Sequence, residues 1–558
     1  MVENQTLCEL QRNLGQSPLQ NCNEMNSARR QVGTTYAMQD YIDAQYGGRG
    51  KGFFQIVLDP TTARERIKDG KVAVVIGVEI SNLFNCQVNY SPLRQKEPYK
   101  EDGSPGENSY GCSMSEDGSS PYEIKAQIEE FKNLGIRQYI TIHEFDNAFG
   151  GNGLFNDLIL NLGSRENSGG IPSDTVAGIF AANPNTRVET PTGEFWTTYN
   201  CPVNDAATKA KGFSGYLWGN SGGTTLQGLC TLSGNVPDAF GPLKDGLGQG
   251  LNTICMLAQT ANVYPGQGGR PGGTLPVYPQ ANQCNARWLT PIGLYTYKQL
   301  MKNGMMFDVD HLIMAKKTKA LEMAETETTQ YPFVSTHGTF GGETVDQATL
   351  ILNNGGFLYP SLGSAKGLIS DMKETLALQG RNPQQFFGFG FGTDTDGLSG
   401  QEDPRDAAAV KAKPLVYPFT LFDTAFFSRL GLQPMAAENA SAVVFQQPEE
   451  RDAAGNGRTW HQDVDGNAQY GMMSDTVQEI ILEGAQSDGS NPALRNLFNS
   501  AERYLQTWEQ TLKASNAINS AQGQNGKVRE PKDIDPTKPE ILRAAPKPGD
   551  GFEKYGYK

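Results

Sequence analysis

Only four histidines are spread over the 558 residues, and three of them close a run of apolar sequence. His143 closes Ile136-Arg-Gln-Tyr-Ile-Thr-Ile-His143, His311 closes Phe307-Asp308-Val-Asp310-His311, and His337 follows Val334-Ser-Thr. Two carboxylates hold the same kind of place. Glu79 ends Val72-Ala-Val-Val-Ile-Gly-Val-Glu79, and Asp394 lies in Gly390-Phe-Gly-Thr-Asp394-Thr-Asp396-Gly. Two histidines and a glutamate with an open position form a catalytic zinc arrangement. A zinc ion so held lowers the pKa of water and polarises a carbonyl. A nearby carboxylate then accepts the water's proton and passes it to a leaving amine, while another histidine holds the developing oxyanion. On this reading Glu79, His311 and His337 are the metal ligands, Asp394 is the proton carrier and His143 contacts substrate. Asp308, Asp310 and Asp396 are expected to support them from behind, and Asp310 is placed to reach a metal itself. A lone histidine at a strand end is usually a hydrogen-bonded structural residue; five such residues at five strand ends argue for a site. His461, in the polar stretch Arg458-Thr-Trp-His461-Gln, reads as surface or interface.

The elements between these residues alternate. After the strand ending at Glu79, a helix over 122–134 stops at Gly135, and the next strand runs from Ile136 to His143. From residue 290 the spacing predicts helix 291–303, strand Met305 to Asp310, helix 312–326, strand Phe333 to His337, helix 344–353, strand Gly356 to Pro360, helix 371–379 and strand Phe387 to Asp394. Such alternation points to parallel βα units. In a βα-barrel the strand ends converge on one mouth, where active sites sit. A helix is expected around Ala37 to Ala44, the run Phe53 to Leu58 is ambiguous in type, and 405–430 and 475–515 read as helical. The chain divides into a first barrel part at 1–149, a Gly-, Asn- and Cys-rich insertion or cap at 150–285, a second barrel part at 286–400, a helical region at 401–521 and an extended tail at 522–558.

Composition narrows the class. A net charge of −14 argues against a nucleic-acid partner, and no apolar run is long enough to span a membrane as a helix. The 64 glycines imply many turns and long loops. All 8 cysteines lie between Cys8 and Cys284 and none forms a Cys-x-x-Cys pair. Their even number points to disulfides, with Cys8–Cys22 and Cys86–Cys112 as local candidate pairs, and so to an extracytoplasmic location. No Gly-x-Ser-x-Gly elbow, Walker loop or His-Glu-x-x-His helix is present, and Gly388-Phe-Gly390-Phe-Gly392 is only superficially like a phosphate loop.

Taken together and in order, these segments resemble the membrane (renal) dipeptidase family of metal-dependent amidohydrolases. Gly77-Val-Glu79, Gly135-Ile-Arg-Gln-Tyr-Ile-Thr-Ile-His143, Leu289-Thr-Pro-Ile-Gly293, Gly304-Met-Met-Phe-Asp308-Val-Asp-His311, Val334-Ser-Thr-His337 and Gly392-Thr-Asp394-Thr-Asp396-Gly397 carry the resemblance. It implies a TIM-type (β/α)8 barrel, one or two zinc ions with Glu79 bridging the two, Asp394 as acid/base and a small peptide or amide as substrate. A homo-oligomer is an open possibility. The chain departs from the family in two motifs. No histidine precedes His143, so the family's first His-x-Asp strand is absent, and six of eight barrel strands are visible. The expectation is that the chain is a fragment, that a second chain completes the barrel, or that the strands were replaced. The family's substrate-holding arginine is also absent from Gly338 to Leu352. Two functions stay open: a zinc-dependent, dipeptidase-like hydrolase, and a catalytically degenerate barrel acting as a binding or structural protein.

Overall fold

The runs that carry the candidate ligands are neighbouring strands of one parallel sheet. The computed structural model describes residues 2–3, 24–86, 112–118, 123–143, 146–153, 198–200, 283–285, 291–312, 331–339, 345–360, 364–379, 386–393, 402–432 and 441–521. Strands Ile76–Ile80, Ile136–Ile140, Met306–Asp308, Val334–Thr339 and Phe357–Pro360 lie side by side in chain order, each parallel to the next. The two residues Val2–Glu3 pair with Glu79–Ile80 on the outer side of the first. Helices Ile124–Asn133, Pro291–Lys302 and Val345–Asn353 make crossovers, and Ala365–Gln379 follows the last strand. Among the described residues the sheet does not close into a barrel. The class is therefore α/β with a parallel sheet.

The helices form for ordinary reasons. Ile124–Asn133 buries Ile124, Gln127, Ile128 and Phe131, one stripe at helical spacing. It stops where Gly135 turns to a φ of 96°, and a Cβ there would meet the Tyr36 hydroxyl. The strands alternate. Ile76, Val78 and Ile80, with Phe307, Val309 and Leu358, join the core cluster built with these helices. Gly77 and Glu79 face the other way and stand in register with Gln138 and Ile140, then with Met306 and Asp308.

That second face is covered by the 22-residue helix Ser500–Ala521. Leu505 and Trp508 pack with Met306, Val57 and Ala63, and the Tyr504 ring meets Phe357 and Tyr359. The helix is tied to the turns that precede the strands. Arg503 donates to Gly356 O at 2.7 Å, Thr507 to Gly355 O at 2.9 Å and Ser515 to Lys302 O at 2.8 Å. It thus crosses the N-terminal ends of the strands, opposite the ends that carry the histidines.

Several expectations need correction. Phe53 to Leu58, ambiguous in sequence, contains strand Phe54–Ile56, parallel to Val72–Val74. Two short strand segments, this one and Val2–Glu3, therefore precede Val72, where the sequence reading assigned no strand, and the single strand expected from Val72 to Glu79 is two, Val72–Val74 and Ile76–Ile80. The expected strand Phe387 to Asp394 is not a continuous strand within its described residues, where Gly392 alone makes a β-bridge. Phe389 N instead donates to Asn496 O at 3.3 Å. The alternating glycines explain this segment: Gly388 lies flush against Asn499, Gly390 against the Tyr359 ring and Gly392 against Thr336 O, leaving no room for a Cβ at any of them. The helix expected around Ala37 to Ala44 runs from Glu24 to Gln45, and that expected at 371–379 begins at Ala365. Within 405–430, strand Phe419–Leu421 interrupts the helices by pairing with Val443–Phe445. Helix 312–326, the tail from 522 and most of 150–285 lie outside the described residues. From the insertion, Thr198–Asn200 pairs with Gln283–Asn285. Of the two local cysteine pairs, Cys86–Cys112 is a disulfide, and Cys8–Cys22 lies outside the described residues. No described helix is long and apolar enough to cross a membrane.

A buried ionic cluster ties the segment after residue 402 to helix Met473–Gly484. Arg405 contacts Asp463 at 3.1 Å, Glu483 at 3.0 Å and Glu479 at 3.9 Å. Burial, and then the Glu402 carboxylate, push the Glu479 carboxyl from an ordinary 4.5 to about 8. The folded state therefore holds a proton that the unfolded chain releases at lower pH. The stability this proton carries is present below the unfolded pKa and is lost as pH rises through the folded one. We expect the urea midpoint to fall between about pH 5 and pH 8, and Glu479→Gln to flatten that fall. An unchanged slope in the variant would rule out Glu479 as its source.

Candidate metal centre

Parallel pairing brings the ends of four strands to one place. His311 Nε2 lies 2.9 Å from Glu79 Oε1, His143 Nε2 lies 3.5 Å from the same oxygen and His337 Nε2 3.6 Å from it. His311 Nε2 and His337 Nε2 are 2.8 Å apart. The single proton a neutral imidazole can place on that His311 nitrogen cannot point at both neighbours, whereas a cation among the three atoms would satisfy all of them. Glu79, His311 and His337 form a group whose ligand-type atoms all lie within 4.8 Å of one another. This is the donor set expected of a catalytic metal site. The three side chains are only 10%, 15% and 13% exposed, so the group is sheltered yet reachable.

The surrounding chain aims these groups. Ser81 Oγ is 3.3 Å from His143 Nδ1, which turns the Nε2 edge of that ring toward Glu79. Asn147, buried, donates to Ser81 O and Thr141 O at 2.9 Å each and so ties the two strand ends together. His311 adopts a φ of 62°, a left-handed conformation that costs a non-glycine residue about 1–2 kcal/mol. Gly153 N holds its carbonyl at 2.6 Å, and Leu312 bridges to Asn152. Strain of this kind clusters at functional positions. Below the ligands, Asp308 accepts from Asp310 N at 2.9 Å, from Gln138 at 3.4 Å and from Thr336 Oγ1, and Gln138 accepts from Tyr504 at 2.9 Å. A polar column thus runs from the C-terminal helix to the His337 end of the candidate group.

Electrostatics favour an ionised glutamate. Burial alone would raise the Glu79 carboxyl, but His143, His311 and His337 outweigh it and hold it well below the usual carboxylate range. Asp308 goes the other way: burial, then the Asp310 carboxylate, push it well up.

No protein-family model matches this chain, and no curated protein or solved structure is similar to it. What the centre does must be read from its own residues. Of the residues singled out from sequence, Glu79, His143, His311 and His337 come together, and Asp308 and Asp310 lie directly behind them. Asp394 and Asp396 lie outside the described residues. His461 is remote: its Nδ1 accepts from Asp463 N at 3.1 Å and caps the short helix Gln462–Asp465. Sequence reasoning missed Ser81, Asn147 and Thr336. The only available signal was their place beside or between the ligand runs, since serine, threonine and asparagine are too common to stand out.

Proposed function

We propose that this chain is a metal-dependent hydrolase of amide bonds in small peptides, dipeptidase-like and using zinc. The observation that carries the reading is the convergence of Glu79, His311 and His337 at the C-terminal ends of adjacent parallel strands. The strictly sequential strand order supports an incomplete (β/α)8-type barrel as the architecture. The Cys86–Cys112 disulfide supports an extracytoplasmic setting. The motif resemblance to the membrane dipeptidases supports the substrate class.

Glu79, His311 and His337 would hold the ion. When bound there, zinc would supply Lewis acidity to an amide carbonyl and to water. Glu79 contributes a fixed negative charge, kept ionised by three imidazoles. His143 presents its Nε2 edge beside the ligands and serves as the donor to a substrate oxygen, with Ser81 keeping the ring in place. Asp394 is the carboxylate assigned to carry the proton from water to the leaving amine. The chain has four histidines; three meet at Glu79 and the fourth caps a distant helix, which favours one ion per chain.

The test is metal content and turnover together. Protein purified without chelator or added metal is expected to carry close to one zinc per chain and to hydrolyse members of a dipeptide panel. Chelation should remove both and zinc should restore both. A folded protein with no metal and no hydrolysis would instead favour the degenerate binding scaffold.

A further inference from the structure

The geometry points to Asp310 as a positioning residue of this centre, a single carboxylate that fixes both the backbone and the ring of the His337 ligand. The inference rests on Glu79, His311 and His337 being the ligands. Asp310 precedes His311 in the chain and is 2% exposed. Its Oδ1 accepts from Ser335 Oγ at 2.6 Å. Its Oδ2 accepts from Thr336 N at 2.6 Å and from His337 N at 2.7 Å, and lies 3.4 Å from His337 Nδ1. Thr336 Oγ1 is also 3.4 Å from that nitrogen.

The position of these contacts along the two strands gives them meaning. The ladder between the His311 and His337 strands pairs Asp308 with Val334 and ends after the bond from Val309 N to Val334 O, at 3.0 Å. Beyond it the next strand bulges between Leu358 and Pro360. The amides of Thr336 and His337 therefore need an acceptor where the ladder has stopped, and the Asp310 carboxylate takes that role. The same oxygen faces His337 Nδ1. A carboxylate on that side favours the tautomer with the proton on Nδ1, in which Nε2 carries the lone pair a metal ligand needs. One side chain thus sets both the backbone and the ring state of His337.

Asp310→Asn separates positioning from mere structure. The asparagine Oδ1 can still accept from both amides and its Nδ2 can reach Ser335 Oγ, so the backbone clamp survives while the charge beside Nδ1 is lost. In the metal-free state the urea midpoint should stay near wild type. Zinc affinity, measured by competition with a chromophoric chelator, should fall roughly 10–100-fold. The nitrogen–proton spectrum of the metal-free wild type should show His337 as the Nδ1–H tautomer, a readout that does not depend on the variant folding. The Nε2–H tautomer in the wild type, or unchanged zinc affinity in a folded Asp310→Asn, would overturn the inference and leave the metal reading standing. A wild type that binds no zinc overturns both.

Discussion

His337→Ala should abolish metal binding while leaving the chain folded. The variant keeps only Glu79 and His311 of the three-donor group, and two donors fall short of the three protein ligands of a catalytic zinc site. His143 stands outside that three-donor group, and Ser81 Oγ, 3.3 Å from its Nδ1, holds its ring where it is. Loss of a direct ligand should cost more than the roughly 10–100-fold that follows from disturbing residues behind the ligands, so the zinc dissociation constant should rise by more than about 100-fold. The readout is thermal or urea unfolding with and without zinc. A ligand bound only by the folded state stabilises it by about 2.7 kcal/mol when present at 100 times its dissociation constant. Wild type should show a rise of that order, and His337→Ala should show none at the same zinc concentration. An equal rise in both proteins would sink the ligand assignment.

Trp508→Ala should produce the largest loss of stability. Its side chain is 0% exposed and sits where helix Ser500–Ala521 meets Met306, Val57 and Ala63. Its indole Nε1 makes no hydrogen bond, so what the substitution removes is packing. Deleting a buried tryptophan costs about 3–5 kcal/mol, against a total stability of about 5–15 kcal/mol for a typical protein. Trp508→Phe keeps most of the apolar volume and should lose much less. The check is urea unfolding of both variants. Because Trp508 packs at the opposite strand ends from the histidines, the folded fraction of Trp508→Ala should still bind zinc. A loss well under 1 kcal/mol would show that the helix does not anchor that face of the sheet.

The strands that carry the candidate ligands were legible because each is an apolar run that ends abruptly in an ionisable residue, in three of the four a histidine, of which the chain has only four. Val72 to Glu79 and Phe307 to His311 show that contrast plainly. Parallel order then brings their ends together without further information. Phe54–Ile56 was not legible, since three strand residues leave too little alternation and the partner Val72–Val74 is not marked as such. The place of Ser500–Ala521 was also hidden. Its periodicity shows that one stripe is buried, but nothing in Tyr504, Leu505 or Trp508 says that the stripe covers the Met306 side of the sheet. The glycines at 388, 390 and 392 pointed superficially to a phosphate loop, while their role is close approach to Asn499, Tyr359 and Thr336. Asp310 was visible as a carboxylate beside His311, but that it answers the amides of Thr336 and His337 depends on where the ladder stops.

The helix across the strand bases also sets a timetable. Arg64, near the start of the chain, binds Glu502, 438 residues further on, at 2.9 Å, and Glu509 beyond it. At roughly 5–20 residues per second of synthesis, about 20–90 s separate the making of these partners. Until residues 500–521 emerge, Met306, Phe357 and Tyr359 have no cover, and contacts so distant along the chain make for slow folding. The sheet is thus born uncovered and is sealed from below by the last of the described helices.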